Sequence, residues 1–349
     1  MTLVLVTGST GYVGSRLVPT LLDRGHRVRT TTSSPDREQP WWSDRTETVV
    51  MDALDADDVH AACAGVDAIV YLIHGMGGED FAETDRRAAT HFADAIRAHG
   101  IDRVVYLSGM VPDVPDAELS EHITSRRDVE RILTDTPATV VALRAAVLIG
   151  SGSTSFEIAR QVSERLPVHT IPTWMDSEVQ PIAVVDALEA LVGALDYEGP
   201  SRHFDIGGPD RMRYGALLDA FTAHAGLERP QVQVPLLPTA LVGTLVAGLT
   251  DVPRPTVEAL VESLHHDMVA ADDAFVAALL PEGHETVGIE EAFARALAER
   301  TAPPEEADPM GPLPQDPKWA DGGDSDERPL LARAVDAARS VLPGTADRP

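Results

Sequence analysis

The apolar run LVLVT (residues 3–7) passes without a break into Gly8-Ser-Thr-Gly11-Tyr-Val-Gly14, and the segment after it, SRLVPTLLDRG, has the apolar spacing of a helix. Three glycines at this spacing between a strand and a helix leave the backbone few geometries. One glycine permits a tight turn, another lets a bulky group approach the main chain, and the last lets helix pack on strand. The free N–H groups and positive dipole end at the helix start then favour an anion such as the diphosphate of a dinucleotide. The alternative is a strand–helix turn that binds nothing.

The rest of the N-terminal half decides the fold class. Candidate strands recur at RVRTTT (27–32), ETVVM (47–51), AIVYLI (68–73), RVVYLS (103–108) and TVVALR (139–144), with helical spacing near 11–24, 55–63, 80–99 and 120–134. Buried β-rich runs alternating with helices predict an α/β fold, a doubly wound parallel sheet of the Rossmann type covered on both faces. Residues 1–150 read as this dinucleotide-binding domain. Residues 151–300 read as a smaller mixed α/β lobe that holds substrate, with strands in VQPIAVVD and RHFDIGGPD and helices near 153–165, 213–226, 238–249, 255–266, 271–280 and 288–299. The stretch from 301 to 349 is rich in Pro, Gly and acid and reads as a flexible tail, with helical spacing returning only in LLARAVDAARSVL.

Composition excludes several functions. A formal charge of −28 disfavours nucleic acid and anionic membrane. The most apolar stretch, LLPTALVGTLVAGLT (236–250), falls short of the roughly 18 residues of a membrane helix. It reads as a buried helix, a lid over an apolar substrate, or a surface resting on a membrane complex. The N-terminus lacks the basic region of a signal peptide. The single cysteine, Cys63, excludes an internal disulfide and a thiolate metal cluster, as expected of a reducing cytoplasm. His91, His99, His169, His203, His265 and His266 show no metal-ligand spacing.

TGSTGYVG resembles the glycine motif of the short-chain dehydrogenase/reductase superfamily in its extended or atypical branch. Asp52 after the third strand, YLSG at the fifth, LRAAVLIG at the sixth, and QPIAVVD and FDIGG beyond carry the resemblance over about residues 1–300. More closely, it is similar to the NmrA-like and YbjT-type NAD(P)H-binding proteins and to the accessory complex I subunit that keeps this fold. The resemblance implies that the dinucleotide is held by Gly8, Ser9, Thr10, Gly11, Tyr12, Val13 and Gly14. It further implies Asp52 and Ala53 after the third strand and Leu72 after the fourth; Thr32 and Ser33 stand at the end of the second strand, and His74, at the sheet edge where ligands bind, either reaches the nicotinamide or substrate or bonds the backbone of a tight loop. Asp52 matches the position that holds the adenine amino group; Asp55 is the better placed of the two to cap the next helix.

In such folds an acid at the end of the second strand binds the ribose 2′-hydroxyl of NAD, whereas an Arg suits the 2′-phosphate of NADP. Here Thr32, Ser33 and Ser34 occupy that end and Arg37 is near, so NADP is expected over NAD.

The superfamily uses Ser, Tyr and Lys, the last two as YxxxK. None of the five tyrosines has a Lys four residues on, and the sole lysine is Lys318. Ser108 still matches the catalytic serine. Where YxxxK belongs, the helix carries His122 and Arg126, one turn apart on one face. An imidazole of ordinary pKa, near ~6.5, exchanges a proton at physiological pH. Arg126 would hold the ribose and lower that pKa. The pair approximates Tyr–Lys chemistry, contacts cofactor or ligand without chemistry, or is plain helix surface. Arg127, Asp128, Glu130 and Arg131 read as a solvated face, Arg144 as structural, and Trp174 and Met175 as pocket wall or core. Two functions remain: an oxidoreductase acting on a small organic substrate, or a dinucleotide-binding sensor or assembly protein without turnover. The sequence gives no oligomeric state.

Overall fold

The computed structural model describes residues 2–34, 36, 38–75, 80–235 and 237–320. The elements run β1 (Leu3–Val6), α1 (Tyr12–Asp23), β2 (Arg27–Thr32), β3 (Glu47–Val50), α2 (Ala56–Cys63), β4 (Ala68–Tyr71), α3 (Phe81–His99), β5 (Arg103–Gly109), α4 (Glu121–Thr134) and β6 (Thr139–Ala145). Then come β7 (Leu148–Ile149), α5 (Thr154–Arg165), β8 (His169–Pro172), β9 (Glu178–Val179), β10 (Ile182–Ala183), α6 (Val184–Leu195) and β11 (Arg202–Ile206). Last are β12 (Met212–Arg213), α7 (Tyr214–His224), β13 (Gln231–Val234), α8 (Thr239–Leu249), α9 (Arg254–Ser263), α10 (Ala274–Leu279) and α11 (Ile289–Ala296).

The central sheet has seven parallel strands in the order β11-β6-β5-β4-β1-β2-β3. Strand β1 shows why these runs are apolar throughout. Successive side chains point to opposite faces, and both faces are covered: Val4 and Val6 join Leu17 and Leu21 of α1 in one core, while Leu3 and Leu5 join Val59, Phe92 and Ile96 in the other. Strand order reverses between β1 and β4, and that reversal opens a crevice at their C-terminal ends where ligands of such sheets bind. Thr7 ties the two strands together there: its N–H and hydroxyl donate to Val70 O, and its hydroxyl accepts from Leu72 N–H.

Residues past 150 contribute the seventh strand, because β11 pairs with β6 from Arg202↔Val141 to Ile206↔Ala145. The sheet therefore draws on both sides of the expected boundary. The tail needs a correction. Through Ala320 it is packed on the body, with Met310, Leu313 and Ala320 buried. The cause is Arg16 of α1, whose fully buried guanidinium needs a carboxylate and carbonyl oxygens that this segment supplies. Residues 321–349 lie outside the described residues. The apolar stretch near 236–250 forms α8, packed on α9 with Val242, Gly243 and Thr244 buried. No described helix is long and apolar enough to cross a membrane.

Candidate active site

The glycine turn is built for close approach. Gly8 sits at φ 60°, with a hypothetical Cβ 3.1 Å from Leu72 O. At Gly14 a Cβ would meet Gly8 O at 2.3 Å and Ser9 Cα at 2.8 Å, so only glycine lets α1 begin against this turn. Gly11 N–H donates to Gly8 O, and Ser9 Oγ donates to Thr31 O of β2, which fixes the turn to the sheet. The N-terminus of α1 carries no side-chain cap, so no side chain of its own capping residue competes for its first amides. An anion is what such a helix end accepts.

On the β2 side, Ser9, Thr10 and Thr32 line one small pocket with Glu38 and Trp42. Thr32 Oγ1 donates to Ser34 O, and Ser33 is exposed. Arg37 lies outside the described residues. Glu38, six residues past Thr32, is an acid lining this same pocket. Asp52 uses one carboxylate oxygen to accept from Leu54 N–H, and Ala53 O contacts His91. Neither lines a described cavity. Asp55 is the helix cap, accepting from Asp57 and Asp58 N–H.

At the other end, β5 delivers Ser108 and α4 delivers His122 and Arg126. Ser120 caps α4 by accepting from Ile123 N–H, which sets the phase of the helix. Ser108 and Arg126 are buried. The Ser108 hydroxyl lies by the Tyr106 phenol without a well-formed hydrogen bond. Arg126 makes no ion pair among the described residues, and its Nε has no partner. A buried, unpaired guanidinium facing a cleft is costly unless an anion joins it. Beneath it lies Asp85, 4 % exposed, accepting from Gly75 N–H and Ser125 Oγ. Burial raises the Asp85 pKa above the usual carboxylate range.

The histidines differ from the expected near-neutral exchangers. Burial, then the charge of Arg126, holds the His122 pKa down at about 4. His74 opens onto the cleft, its Nδ1 against Leu72 O; desolvation within the cleft, then Arg126 and His122, keep its pKa well below the ordinary value. Both rings are neutral at pH 7, so each offers a hydrogen bond rather than a charge.

These groups share one space. Gly8, Gly11, Tyr12, Val13, Gly14, Leu72, His74, Ser108, His122 and Arg126 all line a cleft of about 350 Å³. A second, apolar pocket of about 90 Å³ opens from Gly109, His122, Arg126, Ala145 and Ala146 and runs between Met110, Ile158, Val179, Val261 and Met268. Tyr214 also lines it, its phenol pushed up to about 12 by burial; no YxxxK spacing flagged this residue. A wide groove of about 930 Å³ between α4 and the α8–α9 pair reaches the same His122. His122 stands where all three meet.

Of the remaining sequence candidates, Arg144 is structural, bonded twice to Glu130 at 2.9 and 2.7 Å. Glu130 is accordingly turned inward and is not part of the solvated face. Met175 belongs to the core, and Trp174 stacks on His265 at 4.3 Å away from the cleft.

Residues 8–173 match a family model described as NAD(P)H-binding. The chain is similar to a 3-beta-hydroxysteroid dehydrogenase of Mycolicibacterium neoaurum, 37 % identical over 116 residues that make up 30 % of this chain and 31 % of that protein. It is also similar to a 3-diazoavenalumate denitrifying reductase of a Streptomyces species, 27 % identical over 227 residues, or 56 % of this chain and 72 % of that protein. The chain spans about a third of the length of the hydroxysteroid dehydrogenases it matches. A short-chain dehydrogenase/reductase superfamily protein from Agrobacterium tumefaciens with bound NAD superposes with a TM-score of 0.62 at 18 % identity, over 84 % of this chain and 96 % of that one. At that identity the likeness shows the fold. Residues 8–173 thus carry the glycine cradle and match the NAD(P)H-binding model, and the chain shares the fold of the short-chain dehydrogenase/reductase structure.

Proposed function

We propose that the chain is an NAD(P)-dependent oxidoreductase acting on a small organic alcohol or carbonyl compound with an apolar body. One observation carries the reading: the dinucleotide cleft and the apolar pocket share a wall made of Gly109, His122, Arg126, Ala145 and Ala146. A ligand filling the apolar pocket thus places its polar end beside Ser108 and Arg126. When bound, the nicotinamide supplies or takes the hydride. The glycine turn and the free amides of α1 hold the diphosphate. Ser108 donates a hydrogen bond to the substrate oxygen, the unpaired Arg126 stabilises negative charge on it, and His122 exchanges the proton. Relatives named as a dehydrogenase and a reductase support redox chemistry, and a hydroxysteroid is a largely apolar alcohol.

Cofactor preference is set by the pocket beside β2. The Thr32 hydroxyl in this pocket supports NADP, while Glu38 opposes a 2′-phosphate by like charge. A cytoplasmic setting suits the lone thiol of Cys63, buried and pushed up to about 12.

A carbonyl panel of graded apolar size, with loss of NADPH or NADH absorbance as the readout, tests the proposal together with Ser108→Ala and Met268→Trp. Ser108→Ala should cut kcat at least tenfold. Met268→Trp fills the apolar pocket and should raise KM for the larger substrates while sparing dinucleotide affinity. The low basicity of His122 and the missing YxxxK favour one other reading, a dinucleotide sensor without turnover. Tight dinucleotide binding with no turnover across the panel would select it.

A further inference from the structure

The segment that comes after α11 reaches the dinucleotide cleft from behind. Arg16 lies one turn into α1, directly after the glycine cradle, and its side chain is wholly buried. Its Nη1 and Nη2 donate to the two carboxylate oxygens of Asp316 at 2.6 and 2.9 Å. Its Nε donates to Pro309 O at 2.7 Å, and Nη2 also reaches Gly311 O and Ser151 O. The guanidinium covers the Tyr12 ring at 4.2 Å, and Tyr12 is itself part of the cradle. The same segment is sewn to the loop after β7: Ser151 N–H donates to Met310 O, and a Cβ on Gly152 would strike the Asp316 carboxylate at 2.7 Å.

Just past Asp316, Pro317 and Trp319 line the cleft together with Gly11 and Tyr12. Beyond that point Gln161 Nε2 donates to Trp319 O and Arg160 Nη2 to Ala320 O, so the far end is fastened to α5. Trp319 is half-buried: it packs against the cluster of Ile158, Val242, Val257 and Val261 and also lines the cleft.

We propose that residues 308–320 form a wall of the dinucleotide site, clasped by Arg16 and presenting Trp319 to the bound nicotinamide dinucleotide. This rests on the cofactor assignment above. The wall sets dinucleotide affinity in two ways. Trp319 supplies a flat apolar surface to the ligand, and the Asp316–Arg16–Tyr12 stack holds the cradle in register with it.

The test uses the full chain, titrated with NADH and with NADPH, reading both the dissociation constant and energy transfer from tryptophan to the reduced nicotinamide. Trp319→Phe should remove much of the transfer and weaken binding about three- to tenfold. Asp316→Asn, at a temperature where it stays folded, should weaken binding by a similar factor. Trp174→Phe, at an indole that does not line the cleft, should leave the affinity unchanged. Trp319→Phe that melts with the unaltered chain and keeps both its affinity and its transfer signal would overturn the proposal while leaving the cofactor assignment standing. If the unaltered chain binds neither dinucleotide, the cofactor assignment fails and the wall falls with it.

Discussion

The protonation of His122 offers the most direct check on the site. Two causes hold its pKa at about 4: burial first, then the Arg126 charge. The Cβ atoms of an i,i+4 pair lie roughly 6 Å apart, and at a charge separation of about that size a unit charge contributes about 0.7 to 3 kcal/mol for effective dielectric constants of about 80 down to 20. Arg126→Leu should therefore raise the His122 pKa by about one unit, burial accounting for the rest. The same perturbation has a stability consequence whose sign is fixed. The folded protein binds this proton less well than the unfolded chain, whose His titrates near ~6.5. Stability linked to His122 is thus complete above ~6.5 and drains as pH falls toward about 4. A depression from ~6.5 to about 4 corresponds to a loss of at most about 3 kcal/mol over that window. The assay is NMR titration of the imidazole resonances in the free protein, assigned by difference with His122→Phe, with urea unfolding at several pH values beside it. Saturating NADPH should raise the midpoint, because an anion bound near Arg126 offsets its charge. A His122 midpoint above 6 in the free protein would refute the electrostatic account of the cleft.

Three further outcomes are expected from the geometry. Gly14→Ala places a Cβ 2.3 Å from Gly8 O and should abolish dinucleotide binding in equilibrium titration without unfolding the sheet. Glu38→Gln removes a like charge from the pocket beside β2 and should raise affinity for NADPH over NADH about three- to tenfold, read from paired dissociation constants. Asp316→Leu leaves the Arg16 guanidinium buried and uncompensated and should cost about 3–5 kcal/mol in urea unfolding, part of which the double variant with Arg16→Met should recover.

The middle of the sheet, β1, β4, β5 and β6, is legible in the sequence because those strands are apolar on both faces, a property that needs no knowledge of partners. The two-residue strands β7, β9, β10 and β12 are not, since two residues carry no periodicity. Ser108, His122 and Arg126 can be placed together from the spacing of one motif and one helix, and they do line one cleft. The state of His122 cannot, because its pKa depends on burial and on an Arg charge that packing leaves unpaired. Glu38 is hidden by lying past a turn, and Tyr214 by lying on a helix far along the chain that closes over the apolar pocket. The packed part of the tail is opaque for one reason: its composition is that of solvated chain, and the group that orders it is a single arginine near the other end of the sequence.

That clasp joins residues 300 positions apart. During synthesis at roughly 5–20 residues per second, Arg16 must wait about 15 to 60 s for its carboxylate. Throughout that interval the glycine cradle can form while its rear wall does not yet exist. A nascent chain halted before Asp316 would therefore hold a guanidinium with no lasting counterion, and the final docking step would be among the slowest and most easily lost in assembling the protein.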